Sequence, residues 1–160
     1  MTADRQGSVG QGLYRFEMVL HPRPEAAVLD GEHADTWGRW PVLAVPPEAR
    51  VEPFAAEFDA VVAALEQLPR MFTEPDGAIL WTSAEAGAAW QVDGTLAERA
   101  GRLLAAELKG SCPPQAFDQL LAAFGWPQSP VMFQLVRAGV FLDEPGFRRH
   151  AAAWGSFATG

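Results

Sequence analysis

Apolar side chains occupy every second position from Tyr14 to Leu20, and Arg15 and Glu17 lie between them. A period of two is typical of a strand that has one buried face and one solvated face. The strand is predicted to end at Pro22, because proline has no N–H to donate to a neighbouring strand. The segment 13–20 therefore predicts a sheet that other elements cover on one side.

Shorter segments at residues 42–45, 71–73, 78–82 and 90–92 also have the composition of strands. Residues 71–73 and 78–82 flank a turn in which Pro75 presets φ and Gly77 accepts a positive φ, so we predict a β-hairpin there. Residues 42–45 are predicted to be an edge strand. The rest of 25–50 is rich in proline and glycine and is predicted to be mostly loop.

Four segments are predicted to be helices from their apolar spacing and from proline, glycine or acidic residues at their ends. They are residues 53–68, 113–124, 129–137 and 143–154. In the last of them His150 follows Arg148 and Arg149. We expect a solvated helical end at this point, and the alternative is a small anion pocket.

Residues 95–109 fit two structures. Thr95 and Glu98 form a capping box, apolar residues follow at helical spacing, and Gly110 stands where a helix ends, so we predict a helix. Gly101, however, interrupts the segment. An Ala-Gly pair between two short apolar stretches is also a hairpin turn, and this alternative stays open.

The order of these elements is not the regular alternation of strand and helix that builds a parallel sheet. We predict an α+β fold, a single two-layer domain with a small, mainly antiparallel sheet packed by about four helices on one face. A chain of 160 residues has the length of one domain. Residues 1–12 are predicted to be a disordered N-terminal tail, 13–154 the globular domain, and 155–160 a frayed C-terminal tail.

The formal charge of −8, with 12 basic against 20 acidic residues, opposes binding to nucleic acid or to anionic membranes. We expect neither partner, and the sequence does not predict an oligomeric state. Cys112 is the only cysteine, and no apolar leader or membrane-spanning run is evident, so we expect a cytoplasmic protein. Scarce lysine and isoleucine beside abundant alanine and arginine suggest a GC-rich genome and a bacterial source.

No short catalytic or cofactor motif occurs in the chain. The phosphate loop GxxxxGK[ST], the dinucleotide loop GxGxxG and the nucleophile elbow GxSxG are all absent from the sequence. Cys112 precedes two prolines without a sign of an activating histidine, so we expect a buried filler. We therefore expect no cofactor.

The densest polar cluster is the segment Asp30–Asp35, which is followed directly by two tryptophans. Its ligand spacing matches no known metal motif, so we expect no metal site. Tryptophan and arginine are frequent in binding hot spots, whereas the alternative is that the rings simply pack on the core. The candidate binding residues are Glu32, His33, Asp35, Trp37, Arg39 and Trp40, and no catalytic residue is assigned.

Two functions follow from this cluster. The absence of motifs favours a non-catalytic protein-binding or accessory domain of the bacterial cytoplasm that meets another protein, and this function requires Trp37 and Trp40 to be exposed. The alternative is a small enzyme or ligand-binding domain with a pocket at 30–35. It requires a pocket in which His33 meets a distant polar group.

Overall fold

The computed structural model of the chain describes residues 12–83 and 89–159. These residues form one nine-stranded sheet in which all neighbouring strands are antiparallel. In chain order the strands are β1 (Tyr14–Pro22), β2 (Val28–Asp35), β3 (Gly38–Ala44), β4 (Met71–Thr73), β5 (Ala78–Thr82), β6 (Gln91–Arg99), β7 (Arg102–Cys112), β8 (Val131–Leu135) and β9 (Phe141–Leu142). The helices are α1 (Phe58–Glu66), α2 (Pro114–Ala123) and α3 (Glu144–Thr159), with a short 3-10 helix at Pro47–Val51.

The strand order across the sheet is β2-β3-β9-β8-β1-β7-β6-β5-β4, so β1 lies in the middle. β7 pairs with β1 from Tyr14 to Leu20, whereas β8 pairs with β1 from Met18 onward. The C-terminal part of α3 packs beside the uncovered beginning of β1. A Cβ atom on Gly155 of α3 would lie only 1.8 Å from the carbonyl oxygen of Leu13, so only glycine allows this approach.

The prediction of a small sheet packed by about four helices is wrong. The described residues contain a nine-stranded antiparallel sheet and three α-helices. Two segments that were predicted to be helices are strands instead. Residues 95–109 belong to the β6–β7 hairpin, and β8 lies within 129–137. Because Val131, Met132 and Phe133 are buried in succession, their apolar run has no period that separates strand from helix.

The open alternative for 95–109 is resolved in favour of a hairpin. Ala100 and Gly101 form the turn, with φ of 53° and 82°. Both values are positive, as in the two-residue turns whose twist matches that of antiparallel strands. The apolar residues that resembled a helical stripe, Leu96, Leu103 and Leu108, are instead buried in the sheet.

Replacing Gly101 with alanine is expected to lower the free energy of unfolding by about 1 kcal/mol, because a left-handed conformation strains any residue with a Cβ atom. No atom lies within 4 Å of the added Cβ, so backbone strain alone sets the effect. Ala100→Asn is expected to raise stability slightly, because Asn-Gly is a preferred pair in such turns. Urea denaturation of both variants tests the turn, and a stabilising Gly101→Ala would contradict it.

Other expectations are confirmed or adjusted. The strand at 13–20, the hairpin at 71–82 and the helices near 113–124 and 143–154 are confirmed. The helix predicted at 53–68 begins only at Phe58. Most of 25–50 is not loop, because it forms β2 and β3. α3 continues to Thr159, five residues beyond the end predicted for this helix. The predicted N-terminal tail lies outside the described residues apart from Gly12.

The three helices cover the face of the sheet that carries the buried residues of β1. Aromatic rings form the centre of this core, where Phe147 of α3 stacks on Phe133 at 4.2 Å between ring centroids and on Phe117 at 5.7 Å. A second, smaller cluster lies on the opposite face near the 3-10 helix. Its members are Ala27, Leu43, Val45, Ala49, Met132 and Phe141.

Arg148 connects α3 to α2. Its guanidinium is paired with Asp118 at 2.7 Å and with Glu144 one turn earlier in α3. It also lies over the rings of Phe117 and Trp126, at 5.3 and 5.1 Å from their centroids. Because the guanidinium of Arg148 is already paired with two carboxylates and two rings, Arg148 does not support the small anion pocket that was considered near His150.

Candidate functional site

The carboxylate of Asp35 organises the tip of the β2–β3 hairpin. Its Oδ1 accepts hydrogen bonds from the backbone N–H groups of Trp37 at 2.9 Å and Gly38 at 3.2 Å. The same oxygen accepts a third from the indole Nε1 of Trp40 at 3.0 Å. A short acidic side chain that binds the backbone two residues later is a common way to close a tight turn. Asp35 therefore holds both tryptophans of the loop in place.

The second oxygen of Asp35 joins the hairpin to α3. Oδ2 lies 3.0 Å from Nε2 of His150, a residue that is only 3% exposed. His33 adds a second imidazole, with its Nε2 at 3.8 Å from the same oxygen. A polar group from β2 and one from a helix more than a hundred residues away thus form one pair.

The two members of this pair have shifted pKa values. Burial works against ionisation of Asp35, but hydrogen bonds from Trp40, Trp37 and His150 outweigh it and bring its pKa below the ordinary value. Burial lowers the pKa of His150, although Asp35 favours the charged ring. Asp35 is therefore ionised and His150 neutral at neutral pH.

These charge states determine the tautomer of His150. A carboxylate only accepts hydrogen bonds, so Nε2 must carry the ring proton and donate it to Asp35. Nδ1 then presents a lone pair. This atom is buried and has no hydrogen-bond partner among residues 12–83 and 89–159. An unsatisfied buried acceptor is unfavourable, and such atoms are uncommon in folded proteins.

Aromatic rings surround the pair. Trp37 stacks on Trp154 of α3 with centroids 4.9 Å apart and an angle of 24° between the rings. The ring of His150 meets Trp37 at 5.5 Å and Trp40 at 5.2 Å, both edge to face. The guanidinium of Arg15 lies 5.6 Å from the centre of Trp154. The hairpin tip is thus packed onto α3 by rings as well as by hydrogen bonds.

A cleft of about 230 Å³ opens beside this junction. Its mainly apolar walls include Trp37, Trp154, Leu135 and Val136. The ionisable groups that line it are Glu17, His33, Asp35, Arg137 and His150. The cleft is therefore an apolar cavity with a few convergent polar groups, which is the usual form of a small-molecule site.

A second groove continues from the cleft onto the open face of the sheet. Its volume is about 390 Å³, and it shares Glu17, Arg137 and Trp154 with the cleft. Arg15, Asp93, Lys109 and Ser111 are among its other lining residues. The groove is more polar than the cleft, so an apolar cleft lies beside a charged groove.

The structure places only some of the six predicted binding residues at the cleft. His33, Asp35 and Trp37 line the cleft, and Trp40 packs beneath it against His150. Glu32 and Arg39 form a solvent-exposed ion pair of 2.9 Å and take no part in the site. Trp40 is 7% exposed and Trp37 is half-buried, so of the two rings that the protein-binding hypothesis requires to be exposed, Trp40 is covered.

The sequence did not identify Glu17, His150 and Trp154 as site residues. Contrary to the expected solvated end, His150 is buried. The sequence contained a signal for this, because Phe147, His150 and Trp154 follow one another at spacings of three and four on α3. A histidine in such an apolar stripe faces the protein interior and needs a polar partner there.

Other kinds of chemistry find little support in the described residues. No group of three or more His, Cys, Asp or Glu side chains there is arranged to hold a metal ion. Burial raises the pKa of the Cys112 thiol to about 12, so a reactive thiolate is not formed at neutral pH. None of the described helices combines the length and the apolar character needed to cross a membrane.

Comparison with known proteins gives no relative. No family model matches the chain, and no curated protein or solved structure is significantly similar to it.

Proposed function

We propose that the chain is a ligand-binding domain that holds a small, largely apolar molecule in the cleft between the β2–β3 hairpin and α3. The observation that carries this proposal is the cleft itself, where the Asp35–His150 pair brings together two distant parts of the chain. The shifted pKa values of this pair and its position in a cavity wall favour a functional role.

Binding fits the geometry better than catalysis. A general base must reach the proton that it removes. Nε2 of His150 is already bound to Asp35, and Nδ1 is covered by protein. The pair therefore acts as a fixed polar wall rather than as a proton acceptor.

Binding of a small molecule also fits better than docking of a protein on the tryptophan loop. Trp40 is buried against His150, and Trp37 stacks on Trp154, so only the part of Trp37 that lines the cleft is open. A hot-spot ring has to be free before a partner can bury it. The cleft, at about 230 Å³, is below the roughly 300–1,000 Å³ of drug-sized ligands, so it suits a fragment-sized group.

A cytoplasmic location is part of this proposal. Cys112 is buried as a free thiol rather than paired in a disulfide. Unpaired cysteines are typical of reducing compartments.

Titration of the chain with small aromatic and aliphatic fragments, followed by NMR, tests the proposal. We expect a subset of fragments to shift the indole N–H signals of Trp37 and Trp154 saturably, because these rings line the cleft. Ala138 also lines the cleft and is exposed, so Ala138→Trp should fill it and weaken binding at least about tenfold.

Ala97→Trp is the matched control, since Ala97 is exposed on β6 and does not line the cleft. It should leave fragment binding unchanged. The proposal is overturned if no fragment shifts the two indole signals, or if Ala138→Trp binds the fragments as tightly as the unmodified chain.

A further inference from the structure

Glu17 gives the cleft a carboxylate that a ligand can reach, because its side chain is 35% exposed. Asp35 also lines the cleft, but both of its oxygens already accept hydrogen bonds from the protein. Nδ1 of His150 is buried, so a ligand does not reach its lone pair. The carboxylate of Glu17 is complementary to a ligand that donates hydrogen bonds.

The charges and rings point to the same ligand chemistry. The chain carries a net charge of −8, which attracts cations toward its clefts. Two indole rings, Trp37 and Trp154, form the apolar wall, and indole faces are the best side-chain partners of organic cations. Trp154 stacks on Trp37 and already carries the guanidinium of Arg15, so within the protein this pair of rings accepts a cation.

Among the described residues, Arg137 is the one arginine or lysine that lines the cleft, and it indicates where a cation is held. Its Nε lies 3.8 Å from Oε1 of Glu17, at the outer limit of an ion pair. The Arg137 side chain is 81% exposed, so it is free to move aside into solvent. A ligand cation can thus take its place beside Glu17 at little cost, because exposed ion pairs contribute little to stability.

From these contacts we infer that the ligand of the cleft is an organic cation, an ammonium or guanidinium group attached to a small apolar body, bound with its charge at Glu17 and its body against Trp37 and Trp154. This inference rests on the proposed function and adds the class of ligand to it.

Three probes of nearly equal size and different charge test the inference: 2-phenylethylammonium, 2-phenylethanol and 3-phenylpropionate. We expect the cation to bind at least about tenfold more tightly than the alcohol, and the anion to bind most weakly. The indole signals of Trp37 and Trp154 report binding. The advantage of the cation should shrink in high salt, since part of it comes from exposed charges.

Two substitutions should change the binding of the cation in opposite directions. Glu17→Gln removes the charge that holds the ammonium and should abolish most of its advantage over the alcohol. Arg137→Gln removes the competing guanidinium and should tighten binding of the ammonium. Glu107→Gln is the matched control, because it removes the same charge from an exposed position of β7 that does not line the cleft.

The outcomes separate this inference from the proposed function. If the alcohol binds as tightly as the ammonium, or if the anion binds best, the cleft binds ligands but the inferred class is wrong. If Glu17→Gln and Glu107→Gln weaken ammonium binding equally, the effect belongs to overall charge and not to the cleft. If none of the probes shifts the indole signals of Trp37 and Trp154, the inference fails, while the broader fragment titration still decides the proposed function.

Discussion

Replacing Phe147 with alanine is expected to lower the free energy of unfolding by about 3–5 kcal/mol. The ring of Phe147 is fully buried and stacks on Phe133 with centroids 4.2 Å apart. It also contacts Phe117 of α2 and Phe16 of β1, so it joins both helices to the central strand. Truncation would leave a cavity among rings that are fixed on three elements, and such a site collapses poorly. Urea denaturation measures the loss.

Phe157 provides a matched control on the same helix. Its side chain is 62% exposed, so Phe157→Ala should change the free energy of unfolding by less than about 0.5 kcal/mol. Similar losses in the two variants would contradict the placement of α3 on the sheet.

Replacing Asp35 with alanine is expected to cost about 3 kcal/mol at pH 7. The substitution removes the acceptor of four hydrogen bonds, from Trp37, Gly38, Trp40 and His150. Each buried donor that loses its partner costs roughly 1–3 kcal/mol, and water will satisfy those that become accessible. Glu32→Ala is the control, because the exposed pair of Glu32 with Arg39 contributes less than about 1 kcal/mol.

The same variant has a characteristic dependence on pH. Asp35 has a pKa below 3.8 in the folded protein, so the unfolded chain binds its proton first as pH falls. The stabilisation by its charge is therefore complete above about pH 3.8 and is lost as pH falls through the folded pKa. The stability gap between the unmodified protein and Asp35→Ala should narrow in that range. A gap that is already absent at pH 7 would show that the hydrogen bonds of Asp35 do not stabilise the fold.

The sequence predicted those strands that have one buried face. β1 alternates strictly because its polar residues point to the open side of the sheet. β2 was missed because it is an edge strand with six exposed residues and a bulge between Leu29 and Glu32, so no burial pattern is imposed on it. β8 was wrongly assigned to a helix because it is buried on both faces. The second apolar cluster covers Met132 on the face opposite to Val131 and Phe133, so the buried residues of β8 do not alternate.

Only the part of the candidate site that consecutive residues form was predictable from the sequence. The segment from His33 to Trp40 was identified because polar and aromatic residues are concentrated there. Its partners, Glu17, His150 and Trp154, come from β1 and α3, and strand order decides that these elements meet at the hairpin tip. A single sequence contains no signal for that order. The spacing of Phe147, His150 and Trp154 predicts only that the histidine is buried.

The central position of β1 has a consequence for the order of folding. The strands from β4 to β7 form a meander between residues 71 and 112, so each of β5, β6 and β7 can pair with its predecessor over a short sequence distance. β1, in contrast, pairs with β7 and β8, which are synthesised much later. On a nascent chain its apolar residues Phe16, Met18 and Leu20 therefore stay exposed until residues 102–135 have left the ribosome. Pairing over such sequence distances is slow, and an exposed apolar strand is prone to aggregate meanwhile. The strand that joins the two halves of the sheet is therefore the segment for which a chaperone would matter most during synthesis.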